Sequence, residues 1–421
     1  MAQKYKFGNK IWANKEGSTL AYNDENDNYK PLPFTFTRDS LGTRVNKNGL
    51  IEVMSNNVPR IDYSDTSKGV LLLEPQRTNS ITYSNDFSKS IYGKINLTIT
   101  ANQGISPDGT QNANLLVPNA AVGNRYLTNS TGSNLKINTV FLKKKELRYV
   151  KIGNAQSNVL VDLENGTISA DSVSTNNFNI ENYGNGWYRV SCYNTLDVNL
   201  QIQIFIGIDG SGSNIATNGT DGVYIYGFEI QNGSYPTSYI PTSGSSVTRS
   251  AEVCNNSGNS EVFNDSEGVL FADISALAND GTNRMISLTN GVDTTSNATL
   301  YFIPTANQIR YIYEVSSAQR CSIIANVNVL LSNKCSAVYK LNRFELWVNG
   351  FKVGEDTSGT LNPQGTFTKL SFLRGASQLP FYGKTKEIGY YDAVLTDAEL
   401  ETLTSYRSLS ELVTELNLNT L

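Results

Sequence analysis

The stretch Arg343-Phe-Glu-Leu-Trp-Val-Asn-Gly-Phe-Lys-Val353 reads RFELWVNGFKV, and it decides the fold class. Phe344, Leu346 and Val348 recur at every second position, the period of a strand with one buried face. Asn349-Gly350 then supplies the dipeptide favoured in a two-residue hairpin turn, because both central positions of that turn take positive φ. Phe351 and Val353 resume the alternation on the return. The segment predicts a β-hairpin.

The same period runs outward through the chain. Leu200, Ile202, Ile204, Ile206 and Ile208 alternate with Gln201, Gln203, Phe205 and Gly207, and similar runs occupy 96–100, 147–152, 187–193 and 223–230. Turn signals such as Pro107-Asp108-Gly109-Thr110 and Asn165-Gly166 separate them at intervals suited to a sandwich. Leu270, Ala272 and Ile274 share a face further on, and more strands are expected at 369–374 and 386–391. Near the start, Asn48-Gly49 marks a hairpin, and Val70-Leu71-Leu72-Leu73 reads as a short buried strand.

Helix is expected only at the end. Thr396 and Glu399 form a capping box before Leu400 and Leu403; Ser408 and Glu411 suggest a second, before Leu409, Leu412, Val413 and Leu416. The predicted architecture is all-β, with two β-sandwich (jelly-roll) domains after an extended arm and hairpin. The expected divisions are an arm at 1–33, a hairpin connector at 34–79, sandwiches at 80–250 and 251–405, and a terminal helix at 406–421.

Composition agrees with this and removes several function classes. Apolar residues make up 39% of the 421 positions and aromatics 10%, enough for real cores, while charged residues are only 17%. With 34 basic against 38 acidic residues the chain has no basic footprint for nucleic acid. Lys143-Lys144-Lys145 reads as a solvated strand edge. The start MAQKYKFGNKIW lacks the apolar core of a signal peptide, and no stretch has the length and apolarity of a membrane span. Cys192, Cys254, Cys321 and Cys335 contain no Cys-x-x-Cys pair and read as isolated buried thiols; Cys321 and Cys335 pair only if the fold joins them. There is no histidine, so Ser-His-Asp, Cys-His and His-ligated metal chemistry is excluded.

Two stretches resemble known families. RFELWVNGFKV with TKLSFLRG, FYGKTKEIGYYD and AVLTDAELETL is similar to the last third of a concanavalin A-like jelly roll of the laminin-G type, over roughly 265–405. The other resemblance lies in Arg38-x-Ser-x-x-Thr-Arg-Val-Asn46, Pro59-Arg-Ile-Asp-Tyr63 and Leu72-Leu-Glu-Pro-x-x-Thr-Asn79. With Gly186–Tyr193 and Gly222–Thr242, these resemble a segment of tailed-bacteriophage structural proteins that carry carbohydrate-binding-module-like sandwiches. The resemblance implies a virion-located head or tail fibre, anchored by its amino end to other virion proteins, forming homo-oligomers (trimers above all) and touching a host glycan. Relatives often place a Trp shortly after Ser-Asn-Asp-Phe; Ser88-Lys-Ser-Ile-Tyr92 has none.

Candidate sites follow. A glycan platform needs an aromatic face with polar groups around it; Tyr311, Tyr313, Trp347 and Trp187 are the candidates. Tyr5, Phe7, Ile11, Trp12 and Tyr22 make the arm too aromatic for a free tail and are the candidate anchors. No cofactor is expected. Structural calcium is the only metal worth considering, on oxygens of Asp209, Asp221 and the 23–28 run. The alternative to a non-enzymatic adhesin is a polysaccharide depolymerase on the same jelly roll, which needs two opposed carboxylates.

Overall fold

The computed structural model describes residues 5–8, 12–23, 30–120, 123–130, 136–153, 158–170, 178–194, 201–375, 379–415 and 418. The chain forms two compact units: Met1–Ser40, Met54–Pro75 and Ala251–Leu421 make the first, Leu41–Val53 and Gln76–Ser250 the second. Almost all regular structure is antiparallel strand, with two short helices, α1 (Asp397–Thr404) and α2 (Leu409–Glu415), near the end.

The first unit packs a twelve-stranded sheet against a five-stranded one. The main path of the larger sheet runs Val253–Asn255, Lys30–Thr37, Ser18–Asn23, Tyr5–Gly8, Gly383–Tyr391, Glu267–Ala276, Asn333–Lys340, Arg343–Val348 and Phe351–Asp356. Its partner runs Ala318–Asn326, Gln308–Val315, Asn297–Phe302, Arg284–Thr289 and Lys369–Ser371. One core lies between them and includes Leu270, Ala272 and Ile274 with Phe344, Leu346, Val348 and Leu300, as the alternation predicts. Asn349 and Gly350 both take positive φ, 51° and 90°, so the decisive turn forms as its sequence demands. On the opposite face of the larger sheet, α1 lays Leu400 over Val269, Phe271, Val338 and Trp347. Its capping box is complete: the Thr396 hydroxyl accepts from Glu399 N–H, and the Glu399 carboxylate accepts from Thr396 N–H.

The amino end departs from the expected arm. Residues 5–8, 14–15, 18–23 and 30–37 are strands of the larger sheet. Tyr5 is fully buried, 6.2 Å from Phe34 and 6.0 Å from Phe263 by ring centroid. Apolar burial accounts for this, since Tyr5 fills a core and Trp12 packs partly buried against it. Pro31 and Pro33 pair within a strand opposite Tyr22 and Leu20. Their own strand meets its other neighbour only at Thr35, Phe36 and Thr37, so the prolines sit where no N–H is required. The jelly roll therefore recruits residues from before position 76 as well as after 250.

The second unit is a sandwich of two six-stranded sheets. One runs Gly93–Ile95, Tyr126–Ser130, Gln201–Ile208, Tyr149–Gly153, Asn158–Asp162 and Thr167–Ala170. The other runs Leu97–Gly104, Ala113–Pro118, Val223–Asn232, Lys136–Lys144, Trp187–Asn194 and Phe178–Asn182. Ile202, Ile204 and Ile206 face Val140, Leu142, Ile225 and Phe228 in the core. Lys143 and Lys144 end a central strand, bonded on both sides, rather than an edge. Lys144 pairs with Glu164 and Lys145 with Glu146. The early hairpin (Gly42–Val45 with Ile51–Met54) forms, but only Gly49 of its turn has positive φ, at 74°. The loop from Asn46 to Leu50 is therefore longer than a two-residue turn.

Candidate functional site

The motif residues Arg38, Arg60 and Glu74 converge in the first unit on Glu252. Arg38 Nη1 lies 2.8 Å from Glu252 Oε1, Arg60 Nε donates to the same oxygen at 2.7 Å, and Arg60 Nη2 lies 2.8 Å from Glu74 Oε2. The side chains of Arg38, Arg60 and Glu252 are fully buried, and that of Glu74 is 4% exposed. Burial works against the charge on Arg60, but Glu252 and Glu74 outweigh it and raise its pKa above the usual arginine value. Arg38 also donates to the carbonyls of Ser40, Ser55 and Val58 at 3.0, 2.7 and 3.1 Å. Glu74 N–H donates to the Glu252 carboxylate at 2.9 Å, and Glu252 N–H to the Glu74 carbonyl at 3.0 Å. Buried charges persist only when paired and bonded in this way. Buried and bonded on every side chain, the cluster is a clamp. It holds the four points where the chain leaves or rejoins this unit, at 40, 54, 75 and 251.

A second buried pair organises the later motif. Arg189 Nη2 lies 2.6 Å from Glu229 Oε2 and donates to the Thr237 carbonyl at 2.7 Å. Glu229 also accepts from Thr139, Gln231 and Ile240 N–H at 2.9, 3.0 and 2.8 Å. Arg249 donates to the Thr237 and Ser238 hydroxyls at 3.2 and 2.9 Å. Tyr239 packs with Phe141, Trp187 and Tyr226. The segment 234–250 is thus a strap fixed across one sheet.

The four proposed glycan rings do not face solvent. Tyr311 and Tyr313 are fully buried in the first unit's core, where Tyr313 lies 5.1 Å from Phe344. Trp347 is 5% exposed and covered from the α1 side, with Nε1 donating to Glu345 at 2.9 Å. Trp187 is 1% exposed and donates to the Ile105 carbonyl at 3.0 Å. Tyr311 and Tyr313 lie on the core face of their strand, Trp347 under α1 and Trp187 in a second buried cluster, so alternation alone placed the rings on the wrong side of the water boundary. Among the anchor candidates, Tyr5 is core, Trp12 packs half-buried against that core, Tyr22 is half-buried and Phe7 lies in the strand Tyr5–Gly8; Ile11 falls outside the described residues.

Asp209 closes its own turn, accepting from Ser211 N–H at 2.8 Å, the Ser211 hydroxyl at 2.7 Å and Ser213 N–H at 3.1 Å. Asp221 is held through its N–H to Asn218 at 2.9 Å; residues 24–28 lie outside the described part. Among the described residues no three acidic, Cys or His side chains are grouped as metal ligands. All four thiols are free and buried, and burial pushes that of Cys321 up to about 12. No helix among the described residues is long and apolar enough to cross a membrane.

An aromatic face does exist, on the second unit. With Leu127, Val150, Ile152, Ile202 and Ile204 in the core, the alternate positions Tyr126, Thr128, Gln203, Phe205, Tyr149 and Lys151 point outward. Tyr126, Phe205 and Lys151 stand in register across three strands. The Tyr126 and Phe205 rings are 4.9 Å apart, tilted by 46°. Lys151 Nζ lies 5.1 Å from the Phe205 centroid, and the Arg148 guanidinium 5.0 Å from that of Tyr149. Beside Tyr126, Ile95 is 40% exposed. Half-exposed rings flanked by amide, hydroxyl and ammonium groups can stack on a sugar and bond its hydroxyls. The sequence carried the signal in Phe205, the one aromatic out of phase with the isoleucines.

No protein-family model matches the chain, and no curated protein sequence matches it. Among solved structures, the carbohydrate-binding module CBM40 of the Ruminococcus gnavus IT-sialidase, bound to α2,3-sialyllactose, is similar over 36% of this chain and 94% of its own, at 16% identity and a TM-score of 0.31. A SAP-like pentraxin of Limulus polyphemus is similar over 34% and 72%, at 12% identity and 0.29. Trypanosoma rangeli sialidase in complex with sialic acid is similar over 92% and 65%, at 12% identity and 0.27. Likeness at this level assigns neither a topology nor an activity.

Proposed function

We propose that this chain is a non-enzymatic bacteriophage structural protein, a head or tail fibre or appendage, that holds a host-surface glycan on the outer face built by Tyr126, Phe205, Tyr149 and Lys151. The observation that carries the glycan reading is that row of half-exposed rings with polar and cationic neighbours. The virion assignment rests on the resemblance of the Arg38, Arg60 and Glu74 motifs, whose physical content is the buried clamp with Glu252. Such a fibre works as a homo-oligomer, trimers above all, on a particle bearing many copies, where weak contacts multiply into useful avidity.

The test is retention of host-surface polysaccharide on immobilised protein. Wild type retains it. The Tyr126→Ala/Phe205→Ala double variant loses at least tenfold, while its thermal midpoint shows that the second unit is still folded. Equal retention by a folded double variant removes this face from the account.

A further inference from the structure

Lys334 is the one lysine among the described residues that is buried, at 6% exposure. It stands directly opposite Asp273 in the ladder between Asn333–Lys340 and Glu267–Ala276. Its Nζ is 3.7 Å from Asp273 Oδ2, in contact but beyond hydrogen-bond reach, and 3.1 Å from Glu411 Oε1 on α2. The Ser332 hydroxyl donates to the other Asp273 oxygen. The side chains of Lys334, Asp273 and Glu411 are 8%, 6% and 22% exposed. The Tyr406 ring lies 5.9 Å from Nζ. A structural ion pair in such a place closes to hydrogen-bonding distance, because an incompletely bonded buried ammonium is costly. Here the short contact goes to Glu411, leaving amine and Asp273 carboxyl side by side.

We propose that Lys334 and Asp273 condense to an intramolecular isopeptide bond, with Glu411 as the proton carrier. Glu411 takes a proton from the Lys334 ammonium and passes it to Asp273. The freed amine attacks Cγ of the protonated carboxyl; the N–C bond forms, one C–O bond breaks, and that oxygen leaves as water with two of the original ammonium hydrogens. Charge and atoms balance with no co-reactant. Proximity makes the step intramolecular, and burial keeps water from competing. The product ties two neighbouring strands of the larger sheet through their side chains, which suits a protein that bears load at a particle surface.

Intact-mass measurement on the full-length purified protein is the test. Wild type should lie about 18 Da below the mass of its sequence, the loss of one water in a covalent modification of this kind. Digestion should yield one linked pair of peptides carrying Asp273 and Lys334. Glu411→Gln, which leaves both reacting groups in place, should return to the full sequence mass with unchanged circular dichroism, and Lys334→Arg likewise. A wild type at its full sequence mass overturns the proposal. So does a water loss that persists in Lys334→Arg, or one that maps to other peptides.

Discussion

At the scale of single residues, the clearest lesson concerns aromatic and charged side chains whose surroundings a sequence does not show. Tyr5 is fully buried against Phe34 and Phe263, so Tyr5→Ala should cost about 3 kcal/mol or more in the chemical unfolding of the first unit. A residue on a free arm would cost nothing there. Glu252 is the common partner of Arg38 and Arg60. Glu252→Ala strands two buried guanidinium groups with Glu74 alone, and the same titration should show a loss of about 3–5 kcal/mol. The motifs containing Arg38, Arg60 and Glu74 were visible in the sequence; their meeting with Glu252 was not, because 178 residues separate Glu74 from Glu252. Trp187, Trp347, Tyr311 and Tyr313 were identifiable as strand aromatics, but which face meets water depends on a strap, a helix and a second sheet that local periodicity does not encode.

At the scale of elements, local chemistry was highly legible. The Asn349-Gly350 turn, the Thr396/Glu399 capping box and the isoleucine alternation at 202–208 all formed as their residues dictate. Thr396→Ala removes that cap and should raise amide exchange in α1, with a local loss of about 1 kcal/mol. The hairpin of Tyr149–Gly153 and Asn158–Asp162 carries a pH signature. Arg148 donates to both Asp162 oxygens, at 2.8 and 2.6 Å, and holds its carboxyl well below the usual carboxylate range. A carboxyl depressed in the folded state lends stability above its unfolded pKa of about 3.9 and loses it as pH falls toward the depressed folded value. The thermal midpoint of the second unit should therefore drop between about pH 4 and pH 2.5, and Asp162→Asn should flatten that limb while lowering the midpoint at pH 7. A variant with the wild-type acid limb would remove Asp162 as its source. What the sequence hid at this scale was the amino end, expected as an extended arm. Strand pairing there is long-range, between residues near 5 and near 390, and no local pattern announces it.

At the scale of the whole molecule, the number of sandwiches was legible and their boundaries were not. The first unit is built from three segments, and the excursions at 41–53 and 76–250 each begin and end beside the Arg38–Arg60–Glu74–Glu252 clamp. Replacing both excursions by short Gly/Ser turns should therefore leave a first unit that unfolds cooperatively; a chain with native strand content but no cooperative transition would show that the clamp does not suffice. The proposed glycan face was half legible, through Phe205 alone, because its partners Tyr126 and Lys151 come from strands far apart in the chain. The account as a whole holds that this protein grips a sugar chain and leaves it intact. The most direct test is the length distribution of host-surface polysaccharide after prolonged incubation with the protein, read beside binding. The account predicts unchanged chain length, with binding lost in Tyr126→Ala/Phe205→Ala; steady shortening of the chains, abolished by a single carboxylate substitution, would contradict it.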